Sequence, residues 1–243
     1  MSDKKYPIIT ISREYGAGGR SIAKGISDRL GIPFYDRDFV KKTAEQSGYS
    51  VEDIEKEGEN MSHAGKFMND FLNNAVSYTS SHDGIFLAQK ATILDLAKED
   101  CIIIGRCSNI ILREAGIPSF DVFLHADIVH RMKRAQQLNE NEDTEMDLQK
   151  YVEKRDDLRE TYYKSYTGHV MGDYHDYDIS LDSGALGYDA CIELLANLIE
   201  KHCKLNNSNP HPPGLLICPV GWGFYFVQGS LPDPSRQGSH FAV

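Results

Sequence analysis

The chain lacks the features that would place it in a membrane or outside the cell. None of its apolar runs approaches the roughly 18 residues that span a bilayer. Its N-terminus, MSDKKYPIITIS, enters a strand pattern without a long apolar stretch, so we expect no signal peptide. The five cysteines form no C-x-x-C pair and no metal-ligand spacing, which favours reduced thiols over a disulfide framework. We therefore expect a soluble, cytoplasmic protein.

The chain also lacks an excess of positive charge. It has 26 Lys and Arg against 36 Asp and Glu, a formal net charge of −10. A general nucleic-acid binder normally has a basic face, so we expect no nucleic-acid polymer as a partner, although a local basic pocket for phosphates is compatible with this charge. Its 41% apolar and 26% charged content are those of an ordinary globular protein.

Short apolar runs alternate with helical patterns along the chain. Five runs are typical of strands: 7–12, 33–36, 101–105, 120–126 and 177–183. Ile22, Ile26 and Leu30 recur four apart and predict one apolar helix face, which ends at Gly31. Other helical patterns cover 37–98, 128–163 and 187–202. This order predicts an α/β fold with three layers, α/β/α, around a mostly parallel five-stranded sheet with right-handed crossovers.

The character of the sequence changes at residue 206. Six of the nine prolines and only two formally charged residues lie in 206–243. We therefore expect a domain over 1–205 and a Pro- and Gly-rich tail over 206–243. The tail carries no recognisable chemistry, and three interpretations are open: a flexible appendage, an interaction strand or an unnatural read-through.

The stretch YGAGGRS, at 15–21, follows the first predicted strand and opens the first predicted helix. In such a turn, backbone N–H groups and a helix N-terminus converge on a phosphate, and glycine allows a close approach. The lysine of the usual phosphate loop is absent, since Gly19, Arg20 and Ser21 stand at its Gly-Lys-Ser end. Arg20 can still bridge phosphate oxygens with its planar fork, and Ser21 is placed to touch Mg²⁺. The alternative is a tight turn without a ligand.

Longer stretches resemble one family. The segment ITISREYGAGGRSIAKGISDRLGIPFYDRDFV is similar to the N-terminus of the cytidylate kinase-like family, and IIIGRCSNIIL resembles its central strand and Gly-Arg element. VFLHADIVHRMKRAQQ resembles the strand before its arginine-rich lid, and YYKSYTGHVMGDYHDYDISLDSGALGYDACIELL resembles its C-terminal segment. The resemblance runs in order over residues 6–199 and does not include the tail.

This resemblance implies a P-loop NTPase-like fold with a helical acceptor-binding region at about 37–98 and an arginine-rich lid at about 128–165. It also implies a Mg²⁺- and ATP-dependent phosphotransferase that acts on a small acceptor. A nucleoside monophosphate such as CMP or dCMP is the first choice of acceptor. ATP and the acceptor are then the expected partners, with Mg²⁺ as cofactor and no membrane involved.

The resemblance implies roles for individual residues as well. The ATP phosphates would lie on the glycine-rich stretch, with Ser21 also reaching Mg²⁺: Tyr15, Gly16, Ala17, Gly18, Gly19, Arg20 and Ser21. A second set would bind the acceptor: Asp36, Arg37, Arg106, Asp156 and Arg159. The transferring phosphoryl group would be stabilised by Arg20, Arg155 and Arg159.

One departure from the family concerns the acceptor. Cytidylate kinase has Arg-Asp in its Gly-Arg element, whereas this chain has Arg106 followed by Cys107. Recognition of cytosine therefore does not carry over. A kinase of a non-nucleotide small molecule, a non-catalytic nucleotide-binding protein and a protein-interaction module that uses the tail are the alternatives.

Two further motifs have competing interpretations. Arg131, Arg134, Arg155 and Arg159 flank the stretch QQLNENEDTEMD, which is either a mobile lid over the phosphates or a solvated pair of charged helices. The segment GDYHDYD, at 172–178, has side chains that can bind metal. We expect a solvated turn there, because polar groups before a strand usually face water.

Overall fold

The computed structural model describes residues 7–36, 81–138 and 146–208, without the side chains of 81–83 and 202–208. Predicted features at 37–80, including Arg37, and at 139–145 lie outside these residues. The elements in chain order are β1 Ile8–Arg13, α1 Gly19–Leu30, β2 Phe34–Tyr35, α2 Ser81–Leu96, β3 Ile102–Ile104, α3 Ser108–Glu114, β4 Ser119–His125, α4 Ile128–Leu138, α5 Leu148–Thr167, a 3₁₀ turn Tyr174–Asp176, β5 Ile179–Asp182, α6 Ser183–Leu186 and α7 Tyr188–Ser208.

The strands form one sheet in the order β2-β3-β1-β4-β5. Every pairing between neighbours is parallel, with Ile9 opposite Ile102 and Ile11 opposite Val122. The predicted five-stranded parallel sheet is therefore confirmed. Because β1 lies in the middle, its carboxyl end opens between those of β3 and β4, which is where ligands bind in open α/β sheets.

Helices cover both faces of the sheet. Successive side chains of a strand point to opposite faces, so Ile9 and Ile11 pack against α1 and α7. Ile8 and Ile103 pack on the other face against α2, α3 and α5. These two clusters form the core, and they confirm the predicted three-layer arrangement.

Helix α1 follows from its apolar spacing and its end signals. Ile22, Ile26 and Leu30 are buried on one face, and burial of each such side chain contributes about 1.5–3 kcal/mol. Gly31 ends the helix in the left-handed conformation, with φ 69°, and its N–H donates to the carbonyl of Ser27 at 2.9 Å. This end lies where the sequence predicts it.

The second half of α5 belongs to the core, although the sequence predicts it as part of a lid. Tyr162 and Tyr163 are buried against the same sheet face as Ile103. The Tyr162 hydroxyl also donates to Gln89 Oε1 at 2.7 Å, which ties α5 to α2. The lid at 128–165 stays a prediction, and this end of α5 contributes buried side chains to the core.

The chain divides after Ser208 into two units, Met1–Ser208 and Asn209–Val243. Helix α7 continues to Ser208, past the predicted helix end at 202. The predicted tail lies almost wholly outside the described residues, and its boundary at 205/206 stays a prediction. In the part of the chain that the structure describes, no helix has the length and apolarity needed to cross a bilayer.

A buried carboxyl in the sheet should make stability depend on pH. Burial raises the pKa of Asp121, and hydrogen bonds from Thr10 and Ser119 offset only part of this effect. The folded state then binds more protons than the unfolded state above the ordinary value of 3.8, so stability falls as pH rises through this window.

The Thr10 hydroxyl donates a hydrogen bond to Asp121 Oδ1 at 2.6 Å. Asp121→Asn keeps an oxygen that can accept this hydrogen bond and removes the buried charge. We expect a higher urea midpoint than wild type at about pH 7, and a smaller gain at about pH 4.5. Asp157→Asn, at an exposed carboxylate, is the control. A gain that grows on acidification would contradict the expected direction.

Candidate active site

The glycine-rich loop, residues 14–18, connects β1 to α1 at the carboxyl edge of the sheet. Gly16 and Gly18 have φ of 84° and 77°, a region that side chains with a Cβ rarely adopt. A Cβ on Gly16 would lie 2.6 Å from the Arg131 carbonyl oxygen, and one on Gly18 would lie 2.4 Å from the Tyr188 ring. Both glycines are therefore required by backbone conformation and by packing.

The N-terminus of α1 is open to an anion. Its N-cap is Gly18, which has no side chain to cap the helix, and its first turn holds no acidic residue. The positive end of the helix dipole and the first backbone N–H groups therefore face the carboxyl edge of the sheet without a competing carboxylate from α1 itself. This is the arrangement that binds phosphate.

Tyr15 joins the loop to α5. Its backbone N–H donates to Asp156 Oδ1 at 2.6 Å, and its buried ring packs edge-on against Tyr151 with centroids 5.7 Å apart. The guanidinium carbons of Arg155 and Arg159 lie 5.5 and 5.3 Å from the Tyr15 ring centroid. These cation–π contacts place two predicted catalytic arginines beside the loop.

Arg131 of α4 joins two carboxylates. Its guanidinium bonds to Asp156, and its Nε lies 3.4 Å from Glu14 Oε2. Burial raises the pKa of Asp156, while the Tyr15 amide and the Arg131 guanidinium oppose this shift. Asp156, predicted to contact the acceptor, is thus engaged with the loop and with α4.

Arg20 and Asp36 are brought together. Arg20, predicted to bind ATP, places its NH1 3.3 Å from Oδ2 of Asp36, predicted to bind the acceptor. The Arg20 side chain is 55% exposed and that of Asp36 is 25% exposed, so this ion pair is screened by water. A phosphate that approaches α1 can therefore compete for Arg20 at little cost.

Ser21, the predicted Mg²⁺ ligand, accepts a hydrogen bond from Arg134 NH2 at 2.9 Å. A cation on the Ser21 hydroxyl would lie beside that guanidinium, so the hydroxyl fits Mg²⁺ only after Arg134 turns away. Within the described ranges, no three His, Cys, Asp or Glu side chains are grouped to hold a metal ion. A Mg²⁺ ion at this site would need most of its ligands from nucleotide phosphates and water, and Ser21 stays a predicted ligand.

A pocket opens beside the loop, at the carboxyl ends of β1 and β3. It is a shallow depression, and its empty space of about 290 Å³ includes open solvent. Its lining, the arginine-lined pocket, consists of Ser12, Arg13, Gly105, Arg106, Cys107, Arg159, Tyr162, Tyr163 and Met171. Three guanidinium groups and an aromatic wall suit a small anion that carries an apolar or aromatic group.

The backbone of the arginine-lined pocket is strained at two of its residues. Arg106 and Cys107 have φ of 62° and 57°, although neither is glycine. Such conformations cost about 1–3 kcal/mol each and cluster at ligand sites.

Burial raises the pKa of the Tyr163 phenol, so its hydroxyl stays protonated and able to donate a hydrogen bond.

Several site residues were not found from the sequence. Arg13 ends β1 immediately before the glycine-rich loop, a position that marks the carboxyl edge of a central strand and could have indicated it. Glu14 accepts a hydrogen bond from the Ala126 N–H at 3.1 Å, which no local pattern predicts. Tyr162 and Tyr163 carry no signal that separates a pocket wall from a core position.

The GDYHDYD segment forms separate pairs instead of a metal site. His169 Nδ1 lies 2.8 Å from Asp176 Oδ2, and His175 Nδ1 lies 2.7 Å from Asp173 Oδ1. Asp176 also binds Arg113 NH1 at 2.7 Å and is buried, whereas Asp173 is exposed. Asp176, through His169 and Arg113, ties this turn to α3, so the segment is only partly solvated.

The sheet order and the glycine-rich loop at the end of the central strand define a P-loop kinase fold. Comparison with family models extends this assignment. The model of the cytidylate kinase-like family matches residues 8–185, and the chain belongs to this family. The resemblance found in the sequence is thereby confirmed.

Comparison with curated proteins gives no significant match. Among solved structures, an uncharacterized protein from Eubacterium ventriosum aligns with a TM-score of 0.55 and 22% identity, covering 80% of this chain and 98% of its own. Shikimate kinase from Acinetobacter baumannii aligns with a TM-score of 0.47 and 12% identity, covering 81% of this chain and 94% of its own. Deoxyadenosine kinase from M. mycoides aligns with a TM-score of 0.43 and 16% identity, covering 82% of this chain and 99% of its own. The first likeness supports the fold, and the other two are too weak to support an argument.

A pair of glycine variants tests how tightly the loop is packed. Gly31→Ala introduces only backbone strain, because nothing lies within 4 Å of its Cβ, and we expect a loss of about 1–2 kcal/mol in the free energy of unfolding. Gly18→Ala adds the clash with Tyr188, and we expect it to lose about 1–3 kcal/mol more. Urea titration of both variants measures the difference. Equal losses would show that Tyr188 moves aside freely.

Proposed function

We propose that the protein is a Mg²⁺- and ATP-dependent phosphotransferase that acts on a small anionic acceptor. A nucleoside monophosphate of the CMP or dCMP kind is the first choice. One observation carries the proposal: the open N-terminus of α1 lies beside a pocket whose lining includes Arg13, Arg106 and Arg159. Membership of the cytidylate kinase-like family supports the same reaction class.

The ATP side of the site is the glycine-rich loop with the arginines around it. The amides at the start of α1 would bind phosphate oxygens, and Arg20 would exchange Asp36 for a phosphate oxygen. Arg155 Nε is buried and has no hydrogen-bond partner among the described residues, so it would gain a hydrogen bond if its side chain turned towards a phosphate. Arg134 would turn from Ser21 towards the same phosphates.

The acceptor side is the arginine-lined pocket. Its arginines would bind the acceptor's phosphate and hold the attacking oxygen near the loop, and its aromatic side chains would contact the rest of the molecule. Phosphoryl transfer of this kind depends on positioning and positive charge more than on a protein nucleophile. Mg²⁺ bound with ATP would neutralise negative charge that develops on the transferring group.

Two alternatives have support from particular residues. Cys107 occupies the pocket where cytidylate kinase has an aspartate, which favours an acceptor other than cytidine nucleotides, including a non-nucleotide one. The Arg20–Asp36 pair favours a protein that binds ATP without transferring phosphate, if Asp36 retains Arg20 when ATP is bound. Turnover measurements with several acceptors separate both alternatives from the main proposal.

The test is Mg²⁺-dependent ADP formation over a panel of nucleoside monophosphates, shikimate-like hydroxy acids and sugars. Arg20→Ala should lower kcat by about 10²–10³-fold, the usual loss when one group that stabilises the transition state is removed. Arg106→Ala should raise the KM of the acceptor by at least about tenfold and leave the KM of ATP within about threefold, since a charged hydrogen bond is worth about 1.5–3 kcal/mol.

Arg29→Ala is the matched control, because Arg29 lies on the exposed face of α1 and bonds to Asn197 at 2.6 Å. ATP binding without ADP formation for every acceptor would refute the phosphotransferase and leave the binding protein. Activity with a sugar or hydroxy acid alone would identify the non-nucleotide kinase. Unchanged kinetics in Arg106→Ala would remove the arginine-lined pocket from the acceptor site.

A further inference from the structure

We propose that Asp156 is a positioning residue that fixes the glycine-rich loop to α5 for binding of the ATP phosphates, and that it is not a ligand of the acceptor. This inference rests on the proposed function and assigns Asp156 a different role from the acceptor contact that the family resemblance implies.

Both carboxylate oxygens of Asp156 are engaged away from the pocket. Oδ1 accepts the backbone N–H of Tyr15 at 2.6 Å, and Oδ2 bonds to Arg131 NH1. The residue is only 9% exposed and is not among those that line the arginine-lined pocket. Little of its surface remains for a ligand.

These contacts act at the point where the loop turns. Tyr15 immediately precedes Gly16, the first residue of the loop with a positive φ. Gly16 itself packs against the backbone of Arg131, the second partner of Asp156. Asp156 and Arg131 thus hold two successive residues of the loop from two different helices, which limits the directions in which the loop amides can point.

The same contacts set the position of two arginines. Arg155 precedes Asp156 and Arg159 follows it by three residues, so all three share one side of α5. Both guanidinium groups lie over the Tyr15 ring, whose backbone N–H Asp156 holds. One carboxylate therefore sets the distance between the loop and the arginines proposed to stabilise the phosphoryl group.

A carboxylate suits this role better than a neutral side chain. It accepts the Tyr15 amide and balances the buried charge of Arg131 at once, and hydrogen bonds to a charged group are about twice as strong as neutral ones. Asparagine would keep an oxygen for the Tyr15 amide and lose the charge opposite Arg131. Alanine would lose both, so the two variants separate the contributions.

The experiment measures hydrogen exchange of the Tyr15 amide by NMR and the Kd of ATP by calorimetry without acceptor. In wild type we expect the Tyr15 amide to be protected. Asp156→Ala should speed its exchange and raise the Kd of ATP, each by about tenfold or more, which corresponds to a hydrogen bond of about 1.4 kcal/mol. Asp156→Asn should keep both values within about threefold to fivefold of wild type. Asp157→Ala, at the exposed neighbour, should change neither.

Other outcomes would overturn the inference. An unprotected Tyr15 amide in wild type would show that the contact does not hold the loop, and this result needs no variant to fold. An Asp156→Ala protein with unchanged exchange and unchanged ATP binding but a raised KM for the acceptor would make Asp156 an acceptor ligand. If Asp156→Asn changes the exchange rate and the Kd of ATP as much as Asp156→Ala does, the hydrogen bond to the Tyr15 amide is not what fixes the loop.

Failure of the proposed function gives a different pattern. A wild-type protein that binds ATP but transfers phosphate to no acceptor refutes the phosphotransferase, while the exchange and calorimetry results still decide the role of Asp156. A wild-type protein that binds no ATP overturns both.

Discussion

The site depends on how closely the glycine-rich loop approaches the helices around it. The space where Gly16 and Gly18 lack a Cβ is filled by the Arg131 backbone and the Tyr188 ring. These contacts bring α4 and α7 against the loop, and Asp156 adds α5 through the Tyr15 amide. Glycine is usually explained at such a loop by the approach of a phosphate. Here the approach of the protein itself already requires it.

The charge distribution explains how an acidic protein can offer a phosphate site. The chain carries a net charge of −10, yet several of its arginines lie around the carboxyl edge of the sheet. Glu14, Asp36 and Asp156 lie among them and pair with Arg131 and Arg20. The buried pairs fix geometry, because breaking one would leave an uncompensated charge. The exposed pair costs little to break and so leaves Arg20 available.

The sequence predicted what depends on short-range pattern. The strand runs, the face of α1 and its end at Gly31 agree with the structure because periodicity and end signals act over a few residues. The family resemblance pointed to the loop and to the Arg106 element, and Arg106 lines a pocket next to the loop. The roles of these residues stay predictions.

What the sequence could not predict depends on long-range contacts. Asp156 bonds to a residue 141 positions away, and no pattern indicates that partner. Tyr162 and Tyr163 follow a charged stretch and were assigned to a lid, yet tertiary packing places them in the core. Helix α3 was not predicted, because its few residues, Ser108–Glu114, follow the strained Arg106 and Cys107 instead of a capping residue with a side-chain hydrogen bond.

The pairing of arginines with protein groups bears on selectivity. A phosphate that reaches Arg20 must compete with the Asp36 carboxylate, and one that reaches Arg134 must compete with the Ser21 hydroxyl. The binding free energy of a ligand is then only the difference between the bonds that it forms and those that it replaces, so a small anion with few oxygens binds weakly. A polyphosphate that replaces both partners and also meets the amides of α1 gains from all three together. Under the proposed function, this arrangement would favour ATP over small anions because of the number of its phosphate oxygens, and not because of the charge of the chain.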